Sequence, residues 1–153
     1  MINTDDARYV LSEIRAMPYY QQKIAMLMFR LKELDIAIEQ MTEPVSPNGG
    51  TDIVIKGKTI RVKIGSGGSS TKEAVIAGYI TAQIPLEESL CDFKRRYEKA
   101  AAYKRQLLES ADRDFAKDFL SGKLTYRDME RKYFISNAYD KIIRLIIQTI
   151  EYI

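Results

Sequence analysis

Histidine is absent from the 153 residues, and with it go imidazole general bases, Ser-His and Cys-His nucleophiles and every His-based metal site. Cys91 is the only cysteine, which excludes an internal disulfide and a thiolate metal cluster. It lies between Leu90 and Phe93 in a helical pattern and reads as a buried structural thiol rather than a reactive one. Carboxylates, lysines and tyrosines remain, but no pair of them has a spacing diagnostic of catalysis. The expectation is a non-enzyme, with no catalytic residue, no metal and no cofactor. What the residue types can do instead is recognise. Thr125, Tyr126, Arg127, Arg131, Ser136, Asn137, Lys141 and Arg144 bring hydroxyls, guanidinium groups, an ammonium and a primary amide into one short stretch. Such groups hold phosphate oxygens, while Asn reads adenine edges and Arg or Lys reads guanine edges.

Charge supports an anionic partner for that end of the chain. The net charge is only +3, but it is unevenly spread. Residues 1–44 carry five basic and seven acidic side chains, residues 92–117 eight and five, and residues 122–153 six and four. Two other features fit plainer roles. Lys94-Arg95-Arg96 fits a solvated helix face better than a phosphate contact. Gly65-Ser-Gly-Gly-Ser-Ser lacks phosphate-loop spacing and reads as a linker over 65–70.

The elements that must position these residues are mostly helical. Thr4 to Met17 reads as a short helix capped by Thr4, with Asp5 and Asp6 favourable in its first turn and Pro18 restarting the chain behind it. Ile24, Leu27, Leu31, Leu34, Ile38 and Met41 then recur at spacings of 3, 4, 3, 4, 3, an a/d seam. After a Pro/Gly-rich break the period changes to alternation, which predicts a β-hairpin at about 51–64 turning at Lys56-Gly57-Lys58. A second long helix starts at Ser70 or Thr71 and is bent by Pro85. Its seam is Leu86, Leu90, Phe93, Tyr97, Ala100, Lys104 and Leu107. Packing within one chain explains both seams as well as dimerisation does.

From Ala111 the texture alters. A helix from Asp112 to Leu120 is closed by Gly122, Thr125 caps a helix to Phe134 with Asp128 at its N3 position, and Ser136 or Asn137 caps a last helix. The expected fold class is therefore mainly α. It has two long helices as an antiparallel pair with a small β-hairpin insertion, plus a C-terminal tri-helical helix-turn-helix module. The expected domains are 1–110 and 111–153. The last helix is apolar around much of its circumference, which predicts burial on two sides, by the module's core and by a dimer partner or other second surface at Ile143, Ile146, Ile147 and Ile150.

Thr125-Tyr-Arg-Asp-Met-Glu-Arg-Lys-Tyr-Phe-Ile-Ser136 resembles the T-x-x-x-I-A-x-x-h-G-h-S segment of bacterial helix-turn-helix proteins, and Phe119 to Thr125 resembles the approach to that segment in sigma-factor region 4. The whole plan is similar to that of small sigma-factor-like transcriptional regulators of Gram-positive phages and prophages. The resemblance implies a double-stranded-DNA-binding regulator, a homodimer in the bacterial cytoplasm, with the last helix in the major groove. Three positions depart from the pattern. Glu130 stands at the small-residue position, Phe134 at the turn glycine and Asp140 at a usually apolar site. Glu130 and Asp140 add negative charge near the phosphate path. The altered turn at Phe134 and the acidic Asp140 of the last helix favour an alternative, a phage-encoded inhibitor that keeps the shape but binds a host protein, either RNA polymerase or a defence nuclease such as Cas9. No stretch is long and apolar enough to span a membrane, so no membrane partner is expected.

Overall fold

The computed structural model describes residues 2–42, 50–55, 58–63 and 69–151, with side chains over 2–42 and 72–151. Six helices are found among them: α1 (Thr4–Arg15), α2 (Met17–Met41), α3 (Ser69–Leu108), α4 (Arg113–Ser121), α5 (Tyr126–Tyr133) and α6 (Ala138–Thr149). None is long and apolar enough to cross a membrane. The chain divides into two compact units, one of residues 1–21 with 94–153 and the other of residues 22–93.

The first unit is where the expected organisation is corrected. The last three helices do not form a module of their own. α1 packs chiefly on α6, and the end of α3 joins the same core. From α1 come Ala7, Val10, Leu11 and Ile14, from α3 Tyr103 and Leu107, and from α4 Phe115, Ala116 and Phe119. Met129 of α5 and Ile142, Ile143, Leu145 and Ile146 of α6 complete the core. The boundary expected at 110/111 thus cuts through one core. The reason is hydrophobic: α6 is apolar on two sides, burying an Ile side chain stabilises by roughly 1.5–3 kcal/mol, and three short helices cover only one side.

Local sequence chemistry sets the ends of α1. The cap is Asn3, one residue before the expected Thr4. Its side-chain oxygen accepts from the Asp6 N–H at 2.8 Å, while the Asp6 carboxylate accepts from the Asn3 N–H at 3.1 Å. Asn3 wins because only it has an acidic partner at N3 that can answer the bond. Glu13 is buried in the same unit. It accepts from the Tyr20 hydroxyl at 2.8 Å and lies 3.8 Å from the Arg96 guanidinium, which also sits over the Tyr20 ring. Burial, then the bond to Glu13, pushes the Tyr20 hydroxyl above its ordinary value. Arg96, exposed like Lys94 and Arg95 as expected of a solvated face, thus also reaches a buried acid.

In the second unit α2 and α3 run antiparallel. Ile38 packs with Ile76 and Ile80, and Gln83 donates to the Asp35 carboxylate at 2.6 Å. Cys91 is exposed, not buried as expected, because Leu90 and Phe93 take the inward positions and leave it between them on the outer side.

The fold class is corrected on the hairpin as well. Both described cores are built by the helices and the residues that flank them, and the class is mainly α. Over residues 50–63 there stands only a backbone ladder, Gly50–Ile55 (β1) antiparallel to Lys58–Lys63 (β2), with Ile53 opposite Ile60. Among the described residues this pair joins no other strand, so it is no sheet layer of the architecture, and two strands by themselves are marginal in water. Its expected turn at Lys56 and Gly57, and most of the 65–70 linker, lie outside the described residues.

Candidate nucleic-acid interface

Gly122 ends α4 in the left-handed region at φ 67°, a conformation glycine adopts without a Cβ clash. Thr125 caps α5, its hydroxyl accepting from the Asp128 N–H at 3.1 Å, and Asn137 caps α6, its side-chain oxygen accepting from the Asp140 N–H, also at 3.1 Å. Phe134 closes α5 with φ 54° and ψ 48°, and it is the only non-glycine residue at positive φ among the described residues. The chain turns there because a backbone that must reverse between Tyr133 and Asn137 needs one left-handed residue. Phe134 supplies it against its steric preference, and its ring is 95% exposed.

Glu130 explains how a bulky acid is tolerated where the two helices cross. Its carboxylate points to the start of α6 and accepts from the Ala138 N–H at 3.3 Å, while the small residue needed for close approach is Ala138 itself, 1% exposed. The partner is thus the backbone of α6. Glu130 and Asn137 each take one N–H at the positive end of α6 and the Asp140 carboxylate adds negative charge in its first turn, at the place where a helix would otherwise attract phosphate.

The expected DNA-contacting residues separate into two groups. Thr125 and Asn137 spend their side-chain oxygens as caps. That removes the acceptor Asn137 would need for bidentate reading of adenine. Tyr126 stacks on Phe119 with centroids 5.4 Å apart, and its hydroxyl accepts from Arg15 of α1 at 2.7 Å. These three hold the fold. Arg127 and Arg131, one turn apart on α5, are exposed, as are Ser136 and Arg144. Lys141 is half-buried, its ammonium 4.9 Å from the centre of the Phe115 ring. Ser136, Asn137, Lys141 and Arg144 line one shallow open groove along α6, together with Asp112, Phe134 and Asp140. Two acids there oppose two bases, so the groove has no strong potential of either sign.

The residues expected at a dimer interface fall elsewhere. Ile143, Ile146 and Ile150 are buried at 6, 0 and 2% within the chain's own core, and Ile147 is half-buried against it. The second cover for α6 is α1, so its apolar circumference needs no partner copy. Sequence reasoning missed that role, although the Ala7, Val10, Leu11, Ile14 pattern was there to match it.

One electrostatic staple holds α4 to α5 beneath the site. Asp118 accepts from the Lys132 ammonium at 2.7 Å and from the Tyr133 hydroxyl. These two bonds, Lys132 first, hold the Asp118 carboxyl below its ordinary value and outweigh a small opposing effect of burial. A carboxyl depressed in the folded state stabilises fully at neutral pH, and that contribution disappears as pH falls through the carboxylate range to the folded value. Thermal melts across acid pH should therefore lose less stability on acidification for Asp118→Asn than for the wild type. Identical acid dependence of the two would remove the staple from the stability balance.

The chain matches no protein-family model, no curated protein and no solved structure.

Proposed function

We propose that the chain is a DNA-binding transcriptional regulator of the sigma-region-4-like kind that phages and prophages encode, with α5 and α6 as a helix-turn-helix. One observation carries the reading. α6 is sealed by α1 and by the core on its apolar sides, and its open side presents Lys141 and Arg144, with Ser136 just before the helix, along one groove that Asp112 and Asp140 also line. A helix held this rigidly, with basic and hydroxyl side chains outward, is what major-groove reading requires. Arg127 and Arg131 on α5 add exposed charges for backbone phosphates.

A mobility-shift assay with the DNA upstream of its own gene tests this. Binding is expected at low salt and should weaken steeply as salt rises. Arg144→Glu, at an exposed position that leaves the core intact, should weaken it by about tenfold or more. Arg127→Glu with Arg131→Glu should flatten the salt dependence. Absence of a shifted band at low salt would reject the reading.

A second reading is favoured by Phe134. A large aromatic side chain, almost wholly exposed at the rim of a groove whose charges cancel, is an anchor for a protein surface rather than for phosphate. In this reading the chain binds a host protein, RNA polymerase or a defence nuclease, and leaves DNA alone.

A further inference from the structure

We propose that two copies of this chain pair antiparallel through the side of α2 that faces away from α3, a surface independent of the DNA-binding reading. The inward seam of α2 is half-buried at Ile24, Leu27, Leu31 and Leu34 and buried at Ile38. On the opposite side of the helix Met26, Phe29 and Ile36 are exposed to 52, 63 and 44%. Their spacings of 3 and 7, with Glu33 at the intervening position, repeat the heptad frame a second time. A helix with two opposed apolar stripes needs a cover on each, and α3 provides only one.

Charge specifies the second cover. Along α2 the exposed Arg30 and Lys32 come before the exposed Glu33 and Glu39, and Asp35 is engaged by Gln83. The first turn has no acid and the last turn no base. Positive charge toward the N-terminal side and negative charge toward the C-terminal side run against the helix macrodipole, an arrangement that favours a partner of reversed direction. A parallel copy would set like charges level with one another. An antiparallel copy sets the basic part of one helix beside the acidic part of the other.

In the register that places Met26 against Ile36 of the second copy, Phe29 meets Glu33 of the second copy. Each Glu33 then stands one residue from Arg30 of the other helix. The interface would be two Phe side chains flanked by two Arg–Glu pairs, the arrangement by which polar flanks fix orientation in paired helices.

Sedimentation equilibrium of the full chain should give a dimer. Phe29→Glu should raise its dissociation constant by about tenfold or more with the helical circular dichroism unchanged, as expected when a central aromatic anchor is replaced by a charge. Arg30→Glu and Glu33→Arg should each weaken the dimer, and the two together in one chain should restore it. In a Cys91→Ser background, a mixture of Met26→Cys and Ile36→Cys chains should form a mixed disulfide faster than either chain links to itself. A wild-type monomer at the highest soluble concentration overturns the proposal. So does a Phe29→Glu dimer as tight as the wild type, or faster linking of Met26→Cys chains to themselves.

Discussion

Val10→Asp is expected to abolish the cooperative thermal transition of the unit formed by residues 1–21 and 94–153. Val10 is 0% exposed, in the cluster that α1 builds with Ile142, Ile143 and Ile146. An unpaired carboxylate there costs several kcal/mol, or forces its own protonation, in a fold whose total stability is about 5–15 kcal/mol. Shortening without charge is milder, and Val10→Ala should cost about 1–3 kcal/mol from lost burial and the void left behind. The same physics predicts that a peptide of residues 111–153 has little helix by itself, because Ile143, Ile146 and Ile150 would then face water. Circular dichroism melts of the three proteins check this. A Val10→Asp chain that melts like the wild type, or a cooperatively folded 111–153 peptide, would return the last three helices to the status of a separate module.

That outcome bears on what the sequence discloses and what it hides. The signals for α4 to α6 are local, and each is a single residue with one job. Gly122 adopts a positive φ, Thr125 caps through its hydroxyl, and Asn137 caps through its amide. Such residues can be read because their chemistry acts within four positions of the chain. Seam periodicity is equally direct, and the inward side of α2 follows it through Ile38. Pairing across long separations has no such marker. The apolar excess of α6 announced that something covers it, but α1 lies more than a hundred positions upstream, and a second copy fits an apolar stripe equally well. Polar partners are the hardest to foresee. In the sequence any nearby base is an equal partner for Glu130, and only the crossing of α5 and α6 places it on the Ala138 N–H. Tyr126 read as a phosphate contact because a tyrosine beside two arginines offers that chemistry. Arg15 and Phe119 hold it instead. The alternation over 51–64 suggested a hairpin insertion as part of the architecture, whereas the two described cores are formed without it.

Phe134→Gly is the substitution expected to move stability and binding in opposite directions. A non-glycine residue in the left-handed region carries a steric cost of about 1–2 kcal/mol, whereas glycine carries none there. Glycine loses more entropy on folding, which offsets about 0.5–1 kcal/mol of that gain. The Phe134 ring itself contributes little to the core, being 95% exposed, while the backbone N–H bond to the Glu130 carbonyl survives the change. The net expectation is a gain near 0.5–1 kcal/mol, read as a melting temperature higher by about 2–8 °C. A strained residue that destabilises its own fold, with its side chain standing in solvent, is the signature of a contact made with something else. If that contact is a protein surface, Phe134→Gly should weaken it by about thirtyfold or more, the loss typical of an aromatic anchor. If the chain instead works on DNA through Ser136, Lys141 and Arg144, DNA binding should be unaffected in the same variant. A stabilised variant with intact DNA binding would support the helix-turn-helix as the working element. A stabilised variant that no longer holds its protein target would make Phe134, and not Lys141 and Arg144, the working end of the molecule. A melting temperature that falls would contradict the strain argument itself, because nothing else in the fold depends on that ring.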